Sequence, residues 1–264
     1  MSIITVMEQQ LQEIPAASDE TRIKIAPYRG GLVTSFSVSG SEILYLDPET
    51  FADLSKNVRG GIPLLFPNAG PSQGCLYTLP QHGFVRKMPW QITTRSGSVI
   101  TLQLKSDAGT RVVYPFDFEL NLTVTVLKNR LTHCLTVTNL SDKPMPTAYG
   151  THPYFNIAQA EKQKLTSNIV GFNPQMINWQ NGFDQCFANP GSIHIEMPDK
   201  ELFLESDSAI FKFVRIWHLP GKDYVCIEPW TRDSFAIDDP KLSLNIPPHE
   251  SRKLSFILRA KMIK

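Results

Sequence analysis

The sequence predicts an all-β protein, a large sandwich of twisted antiparallel sheets with few short helices. Three observations carry that prediction. Apolar and polar residues alternate with a period of two over several runs, the mark of strands with one buried face. The 15 glycines and 20 prolines fall largely between those runs, where turns are needed. Helical patterning is confined to one short segment. Many strands separated by turn signals point to a sandwich, with a barrel as the alternative that periodicity alone leaves open.

Gly31–Ser37 is the first alternating run. Pro48–Asn57 (PETFADLSKN) predicts a short helix, with Asp47 as N-cap and Pro48 at the first helical position. Val99–Lys105 alternates again. In Phe118–Val126, Phe118, Leu120, Leu122, Val124 and Val126 fall on one face while Glu119, Asn121, Thr123 and Thr125 fall on the other. A turn at Lys128-Asn129-Arg130 leads into Leu131–Asn139, which makes the pair a long hairpin with one buried face. Phe211–Ile216 and Lys253–Ala260 complete the set. No polar linker, repeat or low-complexity tract divides the chain, so residues 1–264 are expected to form one domain.

Composition narrows the function classes. The apolar fraction of 42% allows a sizeable core. Basic and acidic residues number 26 and 25, for a net charge of +1, and they are mixed along the chain. That balance leaves no footprint for nucleic acid or an anionic membrane, and favours a small or neutral partner. A local Arg pair could still hold one phosphate. Cys75, Cys134, Cys186 and Cys226 show no C-x-x-C spacing and read as free thiols in a reducing compartment. The first residues, MSIITVMEQQLQEIP, carry no leader-peptide pattern. No run approaches the ~18 apolar residues of a membrane span. A cytoplasmic location is the expectation. There is no G-x-G-x-x-G and no P-loop, so no nucleotide cofactor is expected.

Candidate chemistry sits in four islands among Gly, Pro and aromatic residues: Arg59–Pro67 (RGGIPLLFP), His82–Arg86 (HGFVR), Gly150–Asn156 (GTHPYFN) and Val225–Trp230 (VCIEPW). Loops held on a rigid scaffold are where binding and catalytic groups concentrate. His152 precedes Pro153, which pushes it toward an extended conformation on a stiff segment. Such placement suits proton transfer, although a structural His bonded to a carbonyl would look the same. Glu228 lies between Cys226-Ile227 and Pro229-Trp230. A carboxylate in that company is costly unless paired or protonated, and desolvation would raise its pKa toward that of a general base. The other reading is a Glu at the solvent end of a strand.

The remaining islands are less specific. Gly83 allows a tight turn between His82 and Phe84, and Arg86 follows without a helix to align it with His82. Gly60-Gly61 let backbone approach a ligand closely, and Arg59 before them offers a donor fork for hydroxyls or a phosphate. A Gly turn with Arg59 in a structural ion pair is the alternative. Asp184, in Phe183–Phe187 (FDQCF), could grip hydroxyls or serve as a turn carboxylate.

Taken jointly, RGGIPLLFP, HGFVR with Trp90 shortly after, GTHPYFN, FDQCF and VCIEPW, in that order, resemble the aldose 1-epimerase (mutarotase) family. The resemblance spans residues 59 to 230; HPYF and CIEPW are its more specific motifs. It implies a galactose-mutarotase-like supersandwich. Carried over by position, it implies Glu228 as catalytic base and His152 as catalytic acid. Arg59, His82, Arg86 and Asp184 become substrate-binding residues, and Tyr154 and Trp230 pocket walls. The implied reaction is ring opening of a hexose or hexose 6-phosphate and reclosure to the other anomer, with no cofactor and no metal. The first two islands are written as in the hexose-6-phosphate branch, where arginines matching Arg59 and Arg86 can take the phosphate. Two other classes compete. A sugar-binding or sugar-sensing protein on the same sandwich would tolerate loss of His152 or Glu228. A metal hydrolase using His82, His152 and a carboxylate would have to recruit ligands without any short-range spacing. Nothing in the residues speaks to oligomeric state.

Overall fold

The computed structural model describes residues 11–74 and 76–263. Cys75 and the first ten residues, on which parts of the thiol and leader-peptide expectations fall, lie outside the described residues. The strands form open antiparallel sheets, so the sandwich is observed and the barrel is not. An eight-stranded sheet runs in the order Thr166–Ser167, Ser192–Glu196, Lys200–Ser206, Ser251–Met262, Arg130–Asn139, Phe118–Leu127, Val99–Lys105 and Gln91–Ser96. A six-stranded sheet is centred on Tyr224–Trp230, flanked by Phe213–His218 and then Phe183–Ala188 on one side. On its other side are the short pieces Gly150–Thr151, Tyr154–Asn156 and Leu64–Leu65. Among the described residues, no helix is long and apolar enough to cross a membrane.

The hairpin expected from alternation is present. Phe118–Leu127 pairs with Arg130–Asn139 from Phe118↔Asn139 to Leu127↔Arg130, and its inward residues are buried. The runs at Gly31–Ser37, Phe211–Ile216 and Lys253–Ala260 appear as Leu32–Val38, Phe213–His218 and Ser251–Met262. Val99–Lys105 is a strand over its whole length. Leu120, Leu122 and Leu135 of the larger sheet and Val214, Ile216, Val225 and Ile227 of the smaller one belong to a single buried cluster. That shared core fixes one face of the six-stranded sheet. Its other face is left for the cleft.

The helix is shorter than expected. Asp47 caps it, accepting the backbone N–H of Thr50 at 2.9 Å, but it covers only Pro48–Ala52. Its end is claimed by Arg29, a buried residue from another part of the chain. The Arg29 guanidinium donates to the carbonyls of Thr50 (2.8 Å), Phe51 (3.2 Å), Asp53 (2.8 Å) and Lys56 (3.3 Å). Carbonyls that a longer helix would bond internally are satisfied here by a side chain, and the chain turns away toward Arg59. The sequence reading has no counterpart for a second short helix, Ala108–Val113, closed by a capping box between Asp107 and Thr110.

His133 lies on the inward face of Arg130–Asn139, fully buried and stacked on Phe256 at 5.1 Å. Neither ring nitrogen has a hydrogen-bond partner. Burial therefore holds the imidazole neutral, with its pKa lowered from 6.5 to about 3. Below pH 6.5 the unfolded chain takes up a proton here that the native state refuses, so stability falls as pH drops toward 3. His133→Leu should be at least as stable as wild type at pH 7, with a gain of ~1 kcal/mol expected from removing unpaired nitrogens. Its stability should also fall less steeply between pH 6.5 and 4, as read by urea unfolding at several pH values. An identical pH slope would contradict this account.

Candidate active site

The central strand Tyr224–Trp230 is buried along its whole length, and alternation divides its side chains. Val225 and Ile227 enter the core cluster, while Tyr224, Cys226 and Trp230 belong to separate clusters on the opposite side. Glu228 shares the parity of that second set and opens onto a cleft of about 680 Å³. Register then places the neighbours. Arg215 lies opposite Glu228, Trp217 opposite Cys226, and Asp184 opposite Trp217 one strand further out.

His152 reaches the same cleft from the far side. Its flanks are pinned as short β pairs, Thr151 to Leu64 and Tyr154 to Cys226, and its own N–H donates to the carbonyl of Pro63 at 3.0 Å. The ring is stacked on Tyr154 at 4.6 Å with 11° between planes. His152 Nε2 and Glu228 Oε1 face each other 3.3 Å apart. The two groups that sequence reasoning paired across 76 positions of chain therefore meet directly. Glu228 Oε2 accepts the indole N–H of Trp230 at 3.1 Å, while Oε1 and His152 Nδ1 are buried without hydrogen-bond partners.

His82 approaches edge-on, its ring centroid 5.5 Å from that of His152. Its Nδ1 bonds the carbonyl of Ala69, which can only accept. Nδ1 thus carries the proton, and Nε2 is left with a lone pair. The turn beneath it depends on Gly83, at φ +65°, where a Cβ would fall 1.9 Å from the carbonyl oxygen of Phe66. The glycines of the first island have a different role from the one expected. A Cβ on Gly60 would meet the backbone of Leu46 at 2.5 Å, so the close approach there is to the protein's own chain and not to a ligand.

Arg59 is exposed on the rim, its backbone N–H bonded to Thr50 Oγ1 at 3.0 Å, with no carboxylate within salt-bridge distance of its side chain. Arg86 lines the wall below; its Nη2 donates to the carbonyl of Gln81 at 3.3 Å and its buried Nε has no partner. Asp184 is half-exposed and engaged by Arg215, whose Nε donates to Oδ1 at 2.6 Å. Tyr154 lines the space, whereas Trp230, expected as a pocket wall, lies buried behind Glu228 and bonds its Oε2. All six site residues expected from sequence therefore line one cleft. Gln81, the polar residue just before His82, lines the cleft too, and sequence reasoning missed Lys56, Arg215 and Trp217. Alternation puts Arg215 and Trp217 with Phe213 on the half-buried face of Phe213–His218, but only the register sets that face against Glu228.

Burial dominates the electrostatics. It pushes the Glu228 carboxyl well above the usual range, only partly opposed by the Trp230 bond and the charge of Arg215. It holds His152 well below 6.5, helped by His82, Arg86 and Arg215. His82 is lowered to about 4 by burial and then by Arg86. Burial also weighs against the charge of Arg215, but the Asp184 contact outweighs it and the guanidinium pKa is raised. His82 and His152 are thus neutral at pH 7, the Glu228 carboxyl is shifted toward its protonated form, and the rim is cationic. His152, Cys226 and Glu228 bring ligand-type atoms within 4.8 Å of one another. Burial favours the protonated forms of both the Cys226 thiol and the Glu228 carboxyl, which weighs against a cation there.

Comparison with known proteins agrees with this geometry. Two bacterial relatives carry the name "Putative glucose-6-phosphate 1-epimerase". The one from Salmonella typhimurium is 30% identical over 135 residues, covering 49% of this chain and 43% of its own length. The one from Escherichia coli K12 is 28% identical over 225 residues, covering 80% of this chain and 72% of its own. The chain thus spans less than half of the first relative and nearly three quarters of the second. The crystal structure of the Slr1438 protein from Synechocystis superposes with a TM-score of 0.89 at 28% identity, covering 96% of both chains. The aldose 1-epimerase profile matches residues 16–241, and the chain belongs to the aldose 1-epimerase family.

Proposed function

We propose that this protein is a mutarotase, acting on a hexose 6-phosphate by general acid/base ring opening and reclosure. One observation carries the reading: the 3.3 Å approach of His152 Nε2 to Glu228 Oε1 inside the cleft. The anomeric hydroxyl oxygen and the ring oxygen are bonded to the same carbon, so an acid and a base so close together can serve both. Glu228 as carboxylate takes the proton of the anomeric hydroxyl while protonated His152 delivers one to the ring oxygen. The C1–O5 bond breaks and leaves the aldehyde. Rotation about C1–C2 presents its other face, and the two transfers run backwards to close the ring as the other anomer.

The resting electrostatics fit this cycle. A neutral carboxyl beside a neutral imidazole holds the same number of protons as a carboxylate beside an imidazolium. Burial favours the neutral pair, which is the form that follows ring opening and precedes closure. The ion pair is needed at the two ends of the cycle, where the sugar replaces water around it. His82, neutral with Nε2 free to accept, suits a sugar hydroxyl. Asp184 keeps Oδ2 free of the Arg215 Nε contact and suits a second.

The phosphorylated substrate is supported by the rim. Among the described residues Arg59 and Arg86 have no carboxylate in salt-bridge contact, and Lys56, which lines the same cleft, meets only Asp53 in an exposed contact. Guanidinium groups suit bidentate phosphate contacts. The relatives' name points to the same substrate. A sugar sensor without catalysis gains nothing from an acid and a base in contact, and no observation favours it.

Comparing anomer conversion of glucose, galactose and their 6-phosphates by exchange NMR tests the reading. Acceleration confined to the phosphates is expected; no acceleration of any sugar would refute it. Glu228→Gln and His152→Asn should each lower kcat by ~100-fold or more with circular dichroism unchanged. Near-wild-type rates in either would remove the assigned roles. Arg86→Ala should raise KM for the phosphorylated sugar by roughly 10-fold or more while sparing neutral sugars. Equal losses on both would count against a phosphate contact.

A further inference from the structure

Arg215 stands directly opposite Glu228 in the strand register; one contact anchors its side chain and two more, through Trp230, join it to Glu228. Its Nε donates to Asp184 Oδ1 at 2.6 Å. Its guanidinium lies over the Trp230 ring, 5.0 Å from the centroid. Trp230 in turn donates its indole N–H to Glu228 Oε2 at 3.1 Å, which leaves Oε1 as the oxygen that faces His152. Stacking on an indole and a charge-assisted bond to a carboxylate are the two interactions for which a planar guanidinium is suited.

We infer that Arg215 is a positioning residue of the epimerase reaction: anchored by Asp184, it holds the Trp230 indole that turns Oε1 of Glu228 toward His152, and its charge biases the proton shared by that pair. Asp184 thereby acts on the reacting groups through Arg215, in addition to any hydroxyl it binds. A neutral residue of the same length would leave the indole free to tilt, the Glu228 carboxyl free to rotate, and Asp184 as an unopposed negative charge beside the site.

The other groups around Glu228 do not duplicate this role. From the opposing segment come His152 and Tyr154, from the loop below come His82 and Arg86, and Cys226 lies on the same strand. Of these only Arg86 is cationic at neutral pH, and it is neither paired with Asp184 nor stacked on Trp230 among the described contacts. The charge of Arg215 lowers the pKa of Glu228 against the larger opposing effect of burial, and it lowers that of His152 in the same direction as burial. Loss of the charge should raise both. The acidic limb of the kcat profile, which needs the carboxylate, and the basic limb, which needs the imidazolium, then move together toward higher pH.

The inference rests on the mutarotase reading for its kinetic arm, so the experiment carries a second arm that needs no turnover. Arg215→Met and Arg215→Lys are compared with wild type in anomer exchange across pH. In parallel, the protonated-carboxyl infrared band of Glu228 is titrated, identified by its absence in Glu228→Gln. Arg215→Met should lower kcat by roughly 10- to 100-fold, more than it raises KM, and displace both limbs upward. The infrared midpoint should rise with them. Arg215→Lys, which keeps the charge but not the planar stack, should leave the limbs near wild type while recovering only part of kcat. An infrared midpoint unmoved in Arg215→Met, or a loss of kcat with both limbs in place, would overturn the inference. If wild type converts no sugar, the function reading fails, and the infrared titration alone decides the role of Arg215.

Discussion

The burial of one carboxyl, that of Glu228, is the condition to which most of the cleft is fitted. An ionised carboxylate taken out of water without compensation is too costly to keep, so such a group is paired, hydrogen-bonded or protonated. Here all three devices are present at partial strength. One oxygen takes the indole proton of Trp230, the other faces an imidazole, and desolvation leaves the group mostly protonated. The strand that carries Glu228 sets these partners through alternation: Val225 and Ile227 anchor it in the core from one side, while on the other Glu228 lines the cleft with Cys226 and Trp230 buried beside it.

The cleft divides into two electrostatic zones with different tasks. Its floor holds His82, His152 and Glu228 in neutral forms, a setting where proton transfer need not separate charge over long distances. Its rim carries Lys56, Arg59 and Arg86, supplied by loops and not by the central strands. Arg215 belongs to neither zone. It lies between them, neutralised by Asp184 on one side and laid over Trp230 on the other. A cation in that position attracts less from solvent than the rim residues do, yet still bears on the acid and base.

Much of this architecture is legible in the residues. Period-two alternation marks the hairpin at Phe118–Leu127 and Arg130–Asn139, because a strand with one wet face and one dry face has to be written that way. The six site residues stand out because each lies among Gly, Pro or aromatic neighbours that would be wasteful on an ordinary strand. What escaped the sequence depended on partners far along the chain. Arg29 is an unremarked residue after Pro27-Tyr28 until folding brings four carbonyls to it. Arg215 has the appearance of a solvated strand residue until register sets it against Glu228. His133 shares the parity of Leu131, Leu135 and Val137, so alternation alone places it on the buried face; what the sequence withholds is that neither ring nitrogen finds a partner there. The helix after Asp47 was overextended for the same reason, since its stop signal is the Arg29 side chain and not a glycine or proline.

The way Arg29 holds the segment beyond that helix bears on how this protein can change over time. Arg29 grips main-chain oxygens of Thr50, Phe51, Asp53 and Lys56; the Arg59 N–H is held by Thr50, and the Arg59 carbonyl accepts the N–H of Asp47. Every amino acid but proline offers those same backbone groups. The path of the chain at positions 56–59 is therefore insensitive to which side chains stand there, whereas the floor of the cleft, with His82, His152 and Glu228, is tied to particular ones. Selection, natural or in the laboratory, can exchange the residues that sort one sugar from another without renegotiating the scaffold, which makes this stretch the place to diversify first when a new preference is sought.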